Sequence, residues 1–309
     1  MSDIVCFGSC NIDLITYTNR MPKIGETIKG KEFSQGFGGK GANQIVMAAK
    51  MGAKCAMISM LGDDAHGKST LENFESVGVA CEAVGVSGEQ CSGVASIIVD
   101  DSGHNCIIIV PGANDLIRPA TADKHRELIT GAKVLLTQLE IPLDATMRAM
   151  EIAAQSADTK VIFNPAPAVE DLPESIYALV DVVTPNETEA ELLSGVAVND
   201  AASAEKAARV LIARGARAVI VTLGEQGCVL VEAEAGAAER IAAPRVTAVD
   251  TTGAGDSFNG ALAYGLANGD SLATAARRAN IVASRTVLKP GTQKSYPELD
   301  ELLQLNDFQ

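Results

Sequence analysis

Residues 182–224 read VVTPNETEAELLSGVAVNDAASAEKAARVLIARGARAVIVTLG. The stretch opens on a short apolar run, Val182-Val183, and closes on a longer one, Ala218–Leu223. Between them Ala201–Arg214 carries a helical pattern stopped by Gly215, and glycine just past a periodic segment is a helix terminator. Both runs are apolar on alternate faces, as strands covered by helices on each side must be. Strand, helix, strand in that order predicts a parallel pair joined by a crossover. Working outward, the same rhythm recurs. Apolar runs occupy Ile4–Phe7, Ala56–Leu61, Val134–Leu139 and Val161–Phe163, and a second helical pattern spans Ala42–Met51 before Gly52. The chain therefore reads as an α/β protein with a mainly parallel central sheet and helices on both faces.

Two segments break the rhythm. Residues 14–35 mix polar and aliphatic side chains around Pro22 and Gly25, and residues 92–112 hold a hairpin signal. In the latter, Val94–Val99 and Cys106–Val110 flank the turn Asp100-Asp101-Ser102-Gly103. Together they predict a small separate sheet over the mouth of a site, a lid. An edge extension of the main sheet is the other reading.

The 309 residues carry 39 acidic against 25 basic side chains, a net charge of -14. Such a field repels nucleic acid and anionic membrane, so neither is an expected partner. A nucleotide would need a locally built site of backbone dipoles or metal ions. The seven cysteines are odd in number and lack a C-x-x-C pair, which argues against a disulfide framework or zinc ribbon. Cys6, Cys106 and Cys228 lie in apolar runs and read as buried thiols. No apolar run is long enough to span a membrane and the N-terminus lacks a signal-peptide pattern, so a cytoplasmic location is expected.

Ligands of open α/β sheets bind beyond the carboxyl ends of the strands. Asn11 and Asp13 follow the first run, and Glu140, Asn164, Asn186 with Glu189, and Thr222 end or follow others. Any one of these alone reads as a loop or turn residue. Two glycine-rich loops add to them. Gly36–Gln44 opens an amphipathic helix and offers Lys40 and Asn43 to hydroxyl groups. Asp250-Thr251-Thr252-Gly253-Ala254-Gly255-Asp256 leads into a helix with Phe258, Leu262 and Leu266 on one stripe. The free N–H groups at that helix start form an anion hole, and Asp256 is placed to accept a proton from an attacking hydroxyl. Phosphoryl transfer asks for those parts and little covalent chemistry. Two motif coincidences are weaker. Gly36-x-Gly38-x-x-Gly41 matches a dinucleotide fingerprint but follows no buried strand. Gly62–Ser69 is a formal Walker A match whose two aspartates would repel a triphosphate.

On these residues the chain resembles the ribokinase-like carbohydrate kinases, a family that includes adenosine kinases and fructokinases. The resemblance covers essentially the whole chain. Its anchors, in order, include Gly8-Ser9-x-Asn11-x-Asp13, Gly38–Gln44, Pro111–Asn114, Gln138–Glu140, Asn186-Glu187-x-Glu189, Thr222-Leu223-Gly224-x-x-Gly227 and Asp250–Asp256. The fold it implies is three-layer and Rossmann-like with a small β-sheet lid. The activity it implies is ATP-dependent phosphorylation of D-ribose at its primary hydroxyl, in a homodimer paired through the lid. The roles it implies are sugar binding by Asn11, Asp13, Gly39, Lys40, Asn43 and Glu140. Asp256 becomes the base, with Gly253 and the Ala254 and Gly255 amides at the anion hole. Asn186, Thr222, Gly224 and Gly227 line the nucleotide site, with Asn280 near the adenine. Glu189 helps hold magnesium through water. Asp250, Thr252, Thr286, Lys289, Gly291 and Ser295 surround an activating potassium ion, although Pro290 and Thr292 depart from the usual pattern of that loop.

Other readings remain open on the residues alone: the same chemistry on deoxyribose, another sugar or a nucleoside, a ligand sensor without turnover, or a dehydrogenase using the Gly36 loop. His66, His104 and His125 share no metal-ligand spacing, and Glu232, Glu234 and Glu239 read as a solvated face around a turn.

Overall fold

In the computed structural model, which describes residues 2–308, Val182–Val183 and Ala218–Thr222 lie side by side as parallel strands. The helix between them, Ala201–Ala213, starts at Asp200, whose side chain accepts the Ser203 amide at 2.8 Å. It stops before Gly215, which takes φ 118°. A side-chain cap at one end and a left-handed glycine at the other are the usual solutions for unpaired backbone groups at helix termini.

The main sheet has ten strands. Read across, nine of them run Glu239–Ile241, Cys228–Glu232, Ala218–Thr222, Val182–Val183, Lys160–Phe163, Val134–Thr137, Ile4–Phe7, Cys55–Gly62 and Val79–Ala80, and Val84–Ser87 extends the pairing of Cys55–Gly62. All pairings are parallel except the two that attach Cys228–Glu232. Neither of the two antiparallel strands was expected from the sequence, although residues 228–231 form a buried apolar run; Glu232 and Glu239 beside the connecting turn are exposed. Alternation along Ile4–Phe7 explains the layers. Ile4 and Cys6 join a core with Ile45, Met47, Phe258 and Leu262 on one face. Val5 and Phe7 join Ala145, Ala149, Ile152 and Leu211 on the other. Each fully buried side chain of that size contributes roughly 1.5–3 kcal/mol relative to exposure.

A second sheet has four strands in the order Glu32–Gly38, Asn11–Tyr17, Gly93–Val99, Asn105–Val110. It is separate from the main sheet, not an extension of its edge. The central pair is parallel and the outer pairs antiparallel. Asn11 is in register with both Gly38 and Gly93, so three strand ends meet where this sheet joins the main body. Asn114 ties that junction. Its side chain donates to the carbonyls of Cys10 and Pro111 and to Asn11 Oδ1 at 2.9–3.0 Å, and accepts the Cys10 amide at 2.9 Å. The outermost strand is exposed throughout. Cys106 is therefore not the buried thiol its apolar neighbours suggested; the run is an edge strand exposed on both of its faces. Cys6 and Cys228 are buried as expected. No helix among the described residues is long and apolar enough to cross a membrane.

Candidate active site

The carboxyl ends of the parallel strands and the start of helix Ala254–Ala267 enclose a cavity of about 180 Å³. Its lining includes Lys40, Asn164, Asn186, Glu189, Thr222, Gly253, Gly255 and Asp256. Five segments far apart in sequence thus meet where open α/β sheets place their ligands.

Helix Ala254–Ala267 begins at Gly253, which takes φ 77°. A Cβ there would lie 2.5 Å from Thr292 Cγ2, so the turn needs glycine for both its backbone and its space. Among the described residues, no protein acceptor takes the Gly255 or Asp256 amide. The Ala254 amide differs from expectation: it donates to the Thr251 carbonyl at 3.2 Å, because the turn folds back on itself one residue earlier. The open donors are therefore those of Gly255 and Asp256. Asp256 is buried but faces the cavity, and each of its oxygens receives one amide. Asn43 Nδ2 donates to Oδ2 at 2.9 Å and Gln44 Nε2 to Oδ1 at 3.1 Å.

The loop before helix Lys40–Lys50 folds against Gly8–Asn11. A Cβ on Gly39 would lie 2.6 Å from the Asn11 amide, and one on Gly41 2.7 Å from the Ser9 amide. A Cβ on Gly38 would strike the Asp13 carboxylate. The glycines thus serve close packing of two loops, which brings Asn11, Asp13, Lys40, Asn43 and Glu140 together. Glu140 Oε2 accepts Ser9 Oγ at 2.6 Å and the Lys40 amide at 2.8 Å. Asp13 accepts the Thr292 hydroxyl at 3.3 Å, and burial pushes its carboxyl up to about 6. Burial alone would lower the Lys40 ammonium, but Asp256, Glu140 and Glu189 outweigh it, and the net shift is upward. Lys40 therefore stays charged in a cluster of carboxylates.

At the other end, Asn186 caps helix Glu187–Ser194. It accepts the Glu189 amide at 2.8 Å while Glu189 Oε2 accepts the Asn186 amide at 2.9 Å. Burial raises the Glu189 carboxyl. Asn186 bridges to Thr222, and Leu223–Gly227 forms a tight turn with Gly224 and Gly227 at positive φ. Asn280 projects from helix Leu272–Thr286, and its Nδ2 donates to the Ile241 carbonyl at 3.1 Å. It belongs to the wall behind that turn.

The proposed potassium residues divide. Asp250 accepts the Thr252 amide and hydroxyl and the Gly291 amide at 2.6–2.9 Å, so it stitches loops 250–252 and 291 together. Those bonds hold its carboxyl below the usual carboxylate range against the opposing effect of burial. Ser295 closes a turn onto the Thr292 carbonyl and Thr286 is bonded within its own helix. The Lys289 side chain points to Glu301 at 3.5 Å.

The two motif coincidences resolve structurally. In the formal Walker segment, Asp64 already caps helix Ala65–Ser76, accepting the Gly67 amide at 2.8 Å and the Ser92 amide and hydroxyl. The Gly36 loop follows a strand of the small sheet, not of the parallel one. Sequence reasoning missed Gln44, Gln138, Thr184 and Asn259. Thr184 donates to Asn259 Oδ1 at 2.6 Å, and Asn259 Nδ2 holds the Gly255 carbonyl at 2.8 Å. Spacing carried a signal for the last: Asn259 lies one helical turn past Gly255.

The family model for pfkB family carbohydrate kinases matches residues 1–299. The ribokinase of Mus musculus is 44% identical over 301 residues, covering 97% of this chain and 93% of that protein. The deoxyribokinase of Salmonella typhimurium is 39% identical over 308 residues, covering 99% and 100%. Among solved structures, the Arabidopsis thaliana ribokinase complexed with ribose and ATP matches with a TM-score of 0.91 at 31% identity over 98% of each chain. With a family match over nearly its full length and relatives at 39–44% identity, the chain belongs to the pfkB family of carbohydrate kinases.

Proposed function

We propose that this kinase transfers the γ-phosphoryl group of ATP to the primary 5-hydroxyl of D-ribose, giving ribose 5-phosphate and ADP. The observation that carries the reading is the pairing of open Gly255 and Asp256 amides with a carboxylate facing the same cavity. Asn11, Asp13, Gly39, Lys40, Asn43 and Glu140 bind the sugar, and Asp256 takes the proton from its 5-hydroxyl as that oxygen attacks phosphorus. The open amides and the Lys40 charge receive the phosphoryl oxygens, which offsets the repulsion of a strongly acidic chain. Asn186, Thr222, Gly224 and Gly227 line the nucleotide path, with Asn280 behind it.

A kinase of this family uses a divalent metal with ATP. Magnesium bound with the nucleotide neutralises phosphate charge, and Glu189 fits it, since its cap uses Oε2 alone and the side chain lines the cavity. Potassium suits the 250–252 and 286–295 loops through backbone carbonyls, because hydrogen bonds already occupy the Asp250 carboxylate. The small sheet acts as a lid over a single kinase domain. Its exposed apolar face, with Phe33 at 62% and Ile108 at 65% exposure, pairs two chains as a homodimer. Seven free cysteines, two of them exposed, suit a reducing cytoplasm.

A deoxyribokinase among the relatives supports a second acceptor, 2-deoxyribose. Coupled ADP release with magnesium and potassium across ribose, deoxyribose, fructose and adenosine tests both. The expected result is the highest kcat/KM with ribose. ADP release that ignores the acceptor would remove the reading, and a preference for deoxyribose would replace it with the second.

A further inference from the structure

Asp256 is held by more than its immediate neighbours. Gln44 and Gln138 are both fully buried. Gln138 Nε2 donates to Gln44 Oε1 at 2.7 Å, and Gln44 Nε2 donates to Asp256 Oδ1 at 3.1 Å and Asn164 Oδ1 at 3.2 Å. A side-chain amide can turn over, exchanging its carbonyl for its NH2 group. Turned over, Gln44 would set a carbonyl against the Asp256 carboxylate, acceptor against acceptor. Gln138 blocks that state, because its own NH2 group would then meet the NH2 of Gln44.

The lock has a cost. Gln138 Oε1 is buried without a hydrogen-bond partner, one of two such side-chain atoms among the described residues. Buried acceptors are rarely left unmet. Turning Gln138 over would not cure the defect; it would orphan the NH2 group and release Gln44. A Cβ on Gly8 would collide with Gln138 Oε1, so the side chain is closely confined. A packing role alone would be met as well by a methionine or leucine.

Building on the reading of Asp256 as the base, we infer that Gln44 and Gln138 are positioning residues. They fix the plane of the Asp256 carboxylate so that one oxygen stays turned to the attacking hydroxyl. They reach the reaction through Asp256, with Gln44 also bonded to Asn164 Oδ1 beside it.

A double-mutant cycle tests this. Gln44→Leu is expected to lower kcat roughly ten- to a hundredfold while both KM values stay within about threefold. In an Asp256→Asn background the same change is expected to cost less than about twofold, since the group it positions has gone. Gln138→Met, close in volume, is expected to give a smaller fall in kcat that vanishes in the Gln44→Leu background. Additive losses in either background, an unchanged kcat in Gln44→Leu, or a loss confined to KM would overturn the inference. If Gln138→Met does not fold, the cycle between Gln44 and Asp256 decides alone. An undiminished Asp256→Asn enzyme would instead sink the assignment of the base, a result distinct from failure of the positioning role.

Discussion

Asp13 stands at the head of the strand Asn11–Tyr17, and its carboxyl is pushed from 3.8 up to about 6. Burial is the main cause, Glu140 and Asp256 add to it, and the Thr292 hydroxyl works the other way. Between those two values the folded chain holds more protons at this site than the unfolded one. Stability from this group is therefore greatest below the unfolded value, falls as pH rises toward 6, and stays lower above it. The interval is worth on the order of 3 kcal/mol. On the proposed role of Asp13, the carboxylate that prevails above pH 6 is the form that accepts sugar hydroxyls. Two results are expected. The KM for ribose rises as pH falls through 6, read from initial rates. Asp13→Asn melts at a higher temperature than the parent at pH 7.5 by scanning calorimetry, yet binds ribose at least about tenfold more weakly. A lower melting temperature would show that the buried charge is better compensated than its surroundings suggest.

The helix that begins at Gly253 separates the demands of folding from those of chemistry. At Gly253 the φ of 77° and the nearness of Thr292 oppose any side chain. A left-handed conformation costs alanine roughly 1–2 kcal/mol before any contact is counted. At Gly255 no atom beyond its chain neighbours and its own helix backbone lies within 4 Å of an added Cβ. Gly253→Ala should therefore lower both thermal stability and kcat. Gly255→Ala should melt like the parent while kcat/KM for ATP falls at least about tenfold, because the methyl group fills space proposed for phosphoryl oxygens. Paired melting curves and kinetics on the two variants check this; equal destabilisation would contradict it. Legibility divides along the same elements. Ile4–Phe7 and Val182–Val183 were readable end for end, because continuous apolar runs have no other home in a layered fold. Val134–Thr137 stops two residues short of the run that announced it, where Gln138 turns inward. The loop around Gly38, Gly39 and Gly41 was read for the Lys40 and Asn43 it offers, but loop-to-loop contact itself demands these glycines. Gln44 and Gln138 were missed as participants because an isolated buried amide leaves no periodic trace, and only its partners reveal its purpose.

At the scale of the molecule, Phe33, Ile108 and Val110 share one face of the small sheet and are uncovered in the single chain. Strands with such exposure invite association. Ile108→Lys is expected to yield monomers in sedimentation velocity at concentrations where the parent sediments as a dimer. A parent that is monomeric at every concentration would remove the homodimer from the reading.

Asn11 and Asp13 belong to a strand of the small sheet, and Gly38 and Gly39 mark where a second strand ends and the Lys40 helix begins. The residues proposed to bind the sugar are thus the roots of the small sheet itself. On that proposal, an acceptor that draws them inward tilts the whole small sheet as a handle tilts a door. Amides from 93 to 110 should then exchange hydrogen more slowly once ribose alone is added, before any nucleotide arrives.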